Sequence, residues 1–83
     1  MKWNCGVTTY LGRFIVDYQQ KNNGIKPKGI FIHPQTYQDF IVERMSEGLE
    51  GFVSYMDFMG VPIHRTDNCV PYYRDHLGRI GEL

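Results

Sequence analysis

Three histidines, two cysteines and a few carboxylates are the residues of this 83-residue chain best suited to metal or covalent chemistry. They are densest in the stretch Phe58 to Pro71, FMGVPIHRTDNCVP, which brings His64, Asp67 and Cys69 close together in sequence. With His33, His76 or Cys5 drawn in by the fold, this set offers the nitrogen, sulfur and oxygen donors that zinc and other transition metals bind. The spacing argues against such a site. Structural zinc sites usually carry their ligands as close pairs, and no Cys-x-x-Cys or His-x-x-x-His pair occurs here. A thiol nucleophile at Cys69 would need His33 or His64 beside it and a third group to orient the base, and only residue types speak for that. The ordinary reading makes His64 a strand residue pointing away from Val61 and Ile63, and Thr66-Asp67-Asn68 a turn closed by Asx-type hydrogen bonds. Asp39 and Glu43, four residues apart, read as solvated charge on the outer face of a helix, near enough to Arg44 to pair. No phosphate-cradling glycine loop is present, and no cofactor is expected.

A second group of residues suits contact rather than catalysis. The segment PYYRDHLGRI places Tyr72, Tyr73, Arg74, His76 and Arg79 close together. Tyrosine and arginine are the side chains enriched at the energetic centres of protein interfaces. Trp3, ahead of the first helix, is another large surface that needs covering. These six are the candidate interface residues, and the competing expectation is that they cap the core of a small domain.

The elements that must position these groups can be read from periodicity. Val7, Tyr10, Leu11, Phe14, Ile15 and Tyr18 recur at steps of three and four opposite Arg13, Asp17, Gln20 and Lys21, which predicts an amphipathic helix from Val7 to Asn22. Asn22-Asn23-Gly24 supplies a left-handed stop, and Pro27 prevents resumption. Lys28 to His33, KGIFIH, reads as a central strand, at least partly covered on both faces. Pro34 suits the first turn of a second helix, whose apolar stripe is Tyr37, Phe40, Ile41, Met45 and Leu49, ending near Gly48. Phe52 to Thr66 reads as a hairpin turned at Met59-Gly60, with Phe58 opposite Val61 and Met56 opposite Ile63; a one-residue slip would set Asp57 opposite Val61. Pro62 lacks an amide donor, which favours an edge position for the last strand. The expected fold is α+β, in the order α-β-α-β-β, with a three-stranded sheet packed against two helices and a right-handed crossover. Residues 1–66 make the compact core, and 67–83, broken by Pro71, Gly78 and Gly81, make a C-terminal arm.

Composition limits the functions open to such a domain. Hydrophobic residues at 42% and aromatics at 14% suffice for a packed core and exclude intrinsic disorder. Nine basic residues balance nine acidic ones, so the excess positive charge that binds a nucleic-acid backbone is missing and no nucleic-acid partner is expected. No apolar run approaches the roughly 20 residues that span a bilayer, and MKWNCGVTTYLGRF lacks the apolar core and cleavage site of a signal peptide. A soluble, cytoplasmic chain without a membrane partner follows, with Cys5 and Cys69 as free thiols by default.

Residues 28 to 71 also resemble a segment of the major capsid proteins of tailed phages. That segment runs from a strand through Asn or His and Pro into a helix, then a short hairpin, a Gly-x-Pro-Val/Ile strand and a polar turn ending near a proline. The matching positions here are Gly29 to Pro34, Tyr37 to Met45, and Gly60 to Ile63 with Asp67, Asn68 and Pro71. The chain is too short for a whole capsid subunit, lacking the long arm, spine helix and peripheral domain that tile a shell. The resemblance implies a phage or prophage origin, in the host cytoplasm or the virion, and a compact non-catalytic module whose loops meet neighbouring subunits. The function expected is protein binding, in virion assembly or as an effector against the host, with self-association, most simply as a dimer. The alternative is a small metal- or thiol-dependent enzyme built on His33, His64, Cys69 and His76.

Overall fold

In a computed structural model, which describes residues 6–46 and 57–83, the chain forms two helices and a mixed five-stranded sheet. Helix α1 (Val7–Lys21) buries Val7, Leu11, Ile15 and Tyr18, a single stripe at helical spacing. It ends where Asn23 and Gly24 take positive φ, and the Gly24 amide returns to the Gln19 carbonyl at 2.7 Å. Strand β1 (Gly29–Ile32) leads into helix α2 (Pro34–Ser46), which Pro34 opens as its first residue. His33 caps it, its Nδ1 accepting the Gln35 amide at 3.2 Å. Phe40 is fully buried and Tyr37 and Ile41 pack beside it, whereas Met45, placed by its spacing in the apolar stripe, is exposed.

Strands β2 (Asp57–Phe58) and β3 (Val61–Arg65) form the expected hairpin, with Phe58 opposite Val61 and Asp57 opposite Pro62. Met59 and Gly60 both have positive φ, as a two-residue turn matched to the strand twist requires. Leu49, Phe52, Met56 and the expected end of α2 near Gly48 lie outside the described residues, as do Trp3 and Cys5.

Three expectations are corrected. Pro62 lies inside the sheet, because β3 sits between β2 and β1. It is tolerated there since the turn-closing pair Phe58 and Val61 takes the hairpin hydrogen bonds, while the paired register with β1 begins one residue later, at Ile63. Secondly, residues 72–82 are no loose arm. They supply β4 (Tyr72–Arg74) and β5 (Ile80–Glu82), so the sheet has five strands in the order β2-β3-β1-β4-β5, not three. Gly78, read as a breaker, is the left-handed residue of a tight hairpin, at φ 86° with its amide on the Asp75 carbonyl at 2.9 Å. Gly81 faces Tyr73 across the ladder, where a Cβ would come within 2.5 Å of the Tyr73 ring, so the missing side chain makes room for the aromatic. Thirdly, the polar turn after β3 is closed by the Thr66 hydroxyl, which accepts the Asn68 amide at 3.4 Å, and not by an Asx contact.

Both helices contribute to one core with the inward residues of the sheet. Val7, Leu11, Ile15, Phe40, Ile30, Ile32, Val61, Ile63 and Leu83 form its buried cluster, with Phe14, Phe58 and Tyr73 packed at its margin. Among the described residues no helix is long and apolar enough to cross a membrane.

Candidate interaction surface

The alternation of side chains along each strand sends Ile30, Ile32, Val61, Ile63 and Tyr73 to the core and their neighbours to the opposite face. On that opposite face the register sets Phe31 beside His64 on β3 and beside Tyr72 on β4. The three rings stack as a row across the strands. Phe31 and His64 lie 4.7 Å apart at 20°, and Phe31 and Tyr72 lie 4.7 Å apart at 8°. These separations match the strand spacing of a sheet, so the rings stand face to face as a ridge. The Arg74 guanidinium lies 6.0 Å from the Phe31 ring centre, at the outer range of a cation–π contact. Gly29 gives the His64 ring room, since a Cβ there would lie 3.2 Å from its carbon. Next to the ridge is a shallow groove of about 460 Å³, lined by Asn68, Val70, Tyr72, Ile80, Gly81 and Glu82. Val70 is 52% and Ile80 63% exposed, so apolar surface continues from the rings to the sheet edge.

The expected interface residues are sorted by this geometry onto different sides of the molecule. Tyr72 and Arg74 are on the ridge face. Tyr73 points to the core side, where its ring meets Phe14 at 4.8 Å and Tyr18 at 6.0 Å. His76 is held against α1: its backbone amide donates to the Tyr18 oxygen at 2.9 Å, and its ring Nδ1 shares a hydrogen bond with the same hydroxyl at 2.7 Å. Arg79 pairs with Asp75, its Nε donating to Oδ2 at 3.1 Å. The Asp75 carboxylate also accepts the Leu77 and Arg79 amides. Desolvation pushes the Asp75 pKa up, yet these amides and the Arg79 guanidinium outweigh it and hold the carboxyl below its usual range. Tyr73, His76 and Arg79 therefore fasten the β4–β5 hairpin to α1 and to itself.

The groups of the enzyme alternative are dispersed. His33 caps α2, His64 stacks in the ridge, His76 bonds Tyr18, and Cys69 is a free, exposed thiol in the loop after β3. Among the described residues no three His, Cys, Asp or Glu side chains gather where they could hold a metal ion.

Glu43 departs from its expected role as solvated charge. Its carboxylate accepts the amides of Val7 and Thr8 at 2.9 and 3.0 Å and the Thr8 hydroxyl at 2.9 Å. It thereby caps α1, whose preceding residue, Gly6, offers no side chain. Burial raises the Glu43 pKa, but the three hydrogen bonds together bring it below the ordinary value.

Sequence reading placed His64 on the strand face away from Val61 and Ile63, where it lies, but missed its stacking on Phe31, because that adjacency depends on pairing strands distant in sequence. The only local signal was the alternation of Phe31 with Ile30 and Ile32. Family models, curated proteins and solved structures contain no match to this chain.

Proposed function

We propose that this chain is a non-enzymatic, phage-type protein-binding module that engages its partner through the sheet face that neither helix covers among the described residues. The observation that carries the reading is the ridge His64–Phe31–Tyr72, three stacked rings on the face opposite the helices, continued by exposed Val70 and Ile80. Aromatic surface of this kind gains most when a partner excludes water from it. The described charges around it are mixed, with Arg74 near the ridge and Glu82 opposite Tyr72, which suits a protein surface better than a polyanion. The phage origin rests on the resemblance of residues 28 to 71 to capsid proteins, and it points to virion assembly or a host-directed effector in the infected cytoplasm.

The test is photo-cross-linking in phage-infected or lysogenic cells, with benzoylphenylalanine placed at position 64 and, as control, at Gln20 on the exposed side of α1. A discrete protein adduct from position 64, absent from position 20 and abolished by Tyr72→Ser, is expected. Equal labelling from both positions would remove the sheet face as the binding surface.

A further inference from the structure

The edge of the sheet at β5 has a pattern of backbone groups that a second copy of the chain can complete. The Leu83 amide donates to the Pro71 carbonyl, and the Asp75 amide donates to the Arg79 carbonyl. Antiparallel pairing alternates, so between these two bonded pairs Tyr73 and Gly81 face each other with their backbone groups. Ile80 and Glu82 consequently turn their amides and carbonyls away from β4. No strand lies beyond them among the described residues, since β5 ends the sheet order. The same alternation turns Tyr72 and Arg74 toward β1, in agreement with the Lys28 amide on the Arg74 carbonyl at 2.9 Å.

We infer that β5 pairs antiparallel with β5 of a second copy about a two-fold axis at Gly81, joining the two sheets into one. This deepens the protein-binding reading, on which it rests, by naming a partner. In that register Ile80 of each copy faces Glu82 of the other, and both pairs are of the hydrogen-bonding kind. Every outward amide and carbonyl of Ile80 and Glu82 then finds a partner. Side chains favour this register over its neighbour. A shift that set Glu82 opposite Glu82 would place like charges face to face. The chosen register instead builds the row Tyr72, Glu82, then Ile80 and Arg74 of the second copy, repeated in reverse by symmetry. The Glu82 side chain has no hydrogen bond or ion pair within the described residues, and Arg74 is exposed, its guanidinium donating to the Gly78 carbonyl at 3.3 Å and lying 6.0 Å from the Phe31 ring centre, with no carboxylate partner among the described residues. Each carboxylate gains an arginine across the joint, reaching over the intervening Ile80. Because the edge is three residues long, the association is expected in the micromolar to millimolar range.

Sedimentation equilibrium of the full chain tests this, with a monomer–dimer equilibrium expected over that range. Ile80→Pro removes one outward amide without touching the β4 ladder, and should weaken the dimer about tenfold or more while the fold persists. Charge reversal gives an independent check. Arg74→Glu and Glu82→Arg should each weaken self-association about tenfold, whereas an equimolar mixture of the two variants should recover it, because both cross-joint rows are then oppositely charged. A wild-type monomer at millimolar concentration would overturn the inference. So would a dimer indifferent to Ile80→Pro, or a mixture of charge variants no better associated than either alone. A monomeric chain that still cross-links specifically through position 64 would leave the binding-face reading intact and remove only the second copy as partner.

Discussion

At the residue scale, Glu43 shows how one side chain can tie two elements together. A helix leaves its first amides unsatisfied, and α1 meets this from outside, through a carboxylate on α2 placed at its positive end. Glu43→Gln keeps the shape and loses the charge, and should cost about 1 to 2 kcal/mol in denaturant unfolding at neutral pH, the range of a lost helix cap. The pH dependence follows from the sign of the shift. The folded-state pKa lies below the ordinary value of 4.5, so the stabilisation is fully present above 4.5 and is lost as pH falls through the folded-state value. The difference between wild type and Glu43→Gln should therefore shrink on acidification from neutrality. A difference that grew toward low pH would contradict the capping role. Glu43 was misread in sequence because its partner amides lie about 35 residues away, where no local spacing rule reaches.

At the element scale, the two hairpins differ in how legible they were. The β2–β3 turn was visible because Met59-Gly60 separates two alternating runs by the two residues that such a turn needs. Met59 still pays for its left-handed backbone, at φ 54°. Met59→Asn should raise stability by about 0.5 to 1 kcal/mol, seen as a higher melting temperature, since asparagine adopts this conformation more readily. No gain would mean that the Met59 side chain, near Gly12, contributes as much as the turn strain costs. The β4–β5 hairpin was missed because its strands are three residues long and Gly78 and Gly81 look like breakers. Asp at the first and Gly at the fourth position of DHLG is nonetheless a type I turn signature. Gly81→Ala should destabilise by at least about 1 to 3 kcal/mol, because the new methyl would drive the Tyr73 ring out of its contacts with Phe14 and Tyr18. Near-native stability would show that this ring has another place to go.

At the scale of the whole molecule, one core carries the fold. Phe40 is fully buried and meets Tyr37 and Phe58 at ring separations of 6.0 and 5.6 Å. Phe40→Ala should cost roughly 3 to 5 kcal/mol, enough to unfold so small a domain, and an unchanged melting point would place the core elsewhere. Deleting Tyr72 to Leu83 removes β4 and β5, strips β1 of one neighbour and takes Tyr73 and Leu83 from the core. The truncated chain should be unfolded or aggregated by circular dichroism and light scattering. A stable, soluble product would show that the other three strands suffice.

The sequence alone determined what depends on neighbours a few residues apart: the apolar stripe of α1, its Asn-Gly stop, Pro34 opening α2, the Phe58–Val61 register and the α+β class. Of the residues it put in one core, Phe14, Phe40, Ile41, Met56 and Ile63, the structure buries Phe40 and Ile63 and leaves Phe14 and Ile41 partly buried at the margin, while Met56 lies outside the described residues. Tertiary structure decided what depends on which distant segments lie side by side. It put β3 inside the sheet and made strands of the tail. It separated Tyr72 and Arg74 from Tyr73, His76 and Arg79, and aligned His64, Phe31 and Tyr72 into one ridge. The physical reason is the same in each case. Helix and turn preferences are set by local sterics and hydrogen bonds, whereas sheet order and the company a side chain keeps are set by long-range pairing, which leaves no periodic trace in a single chain.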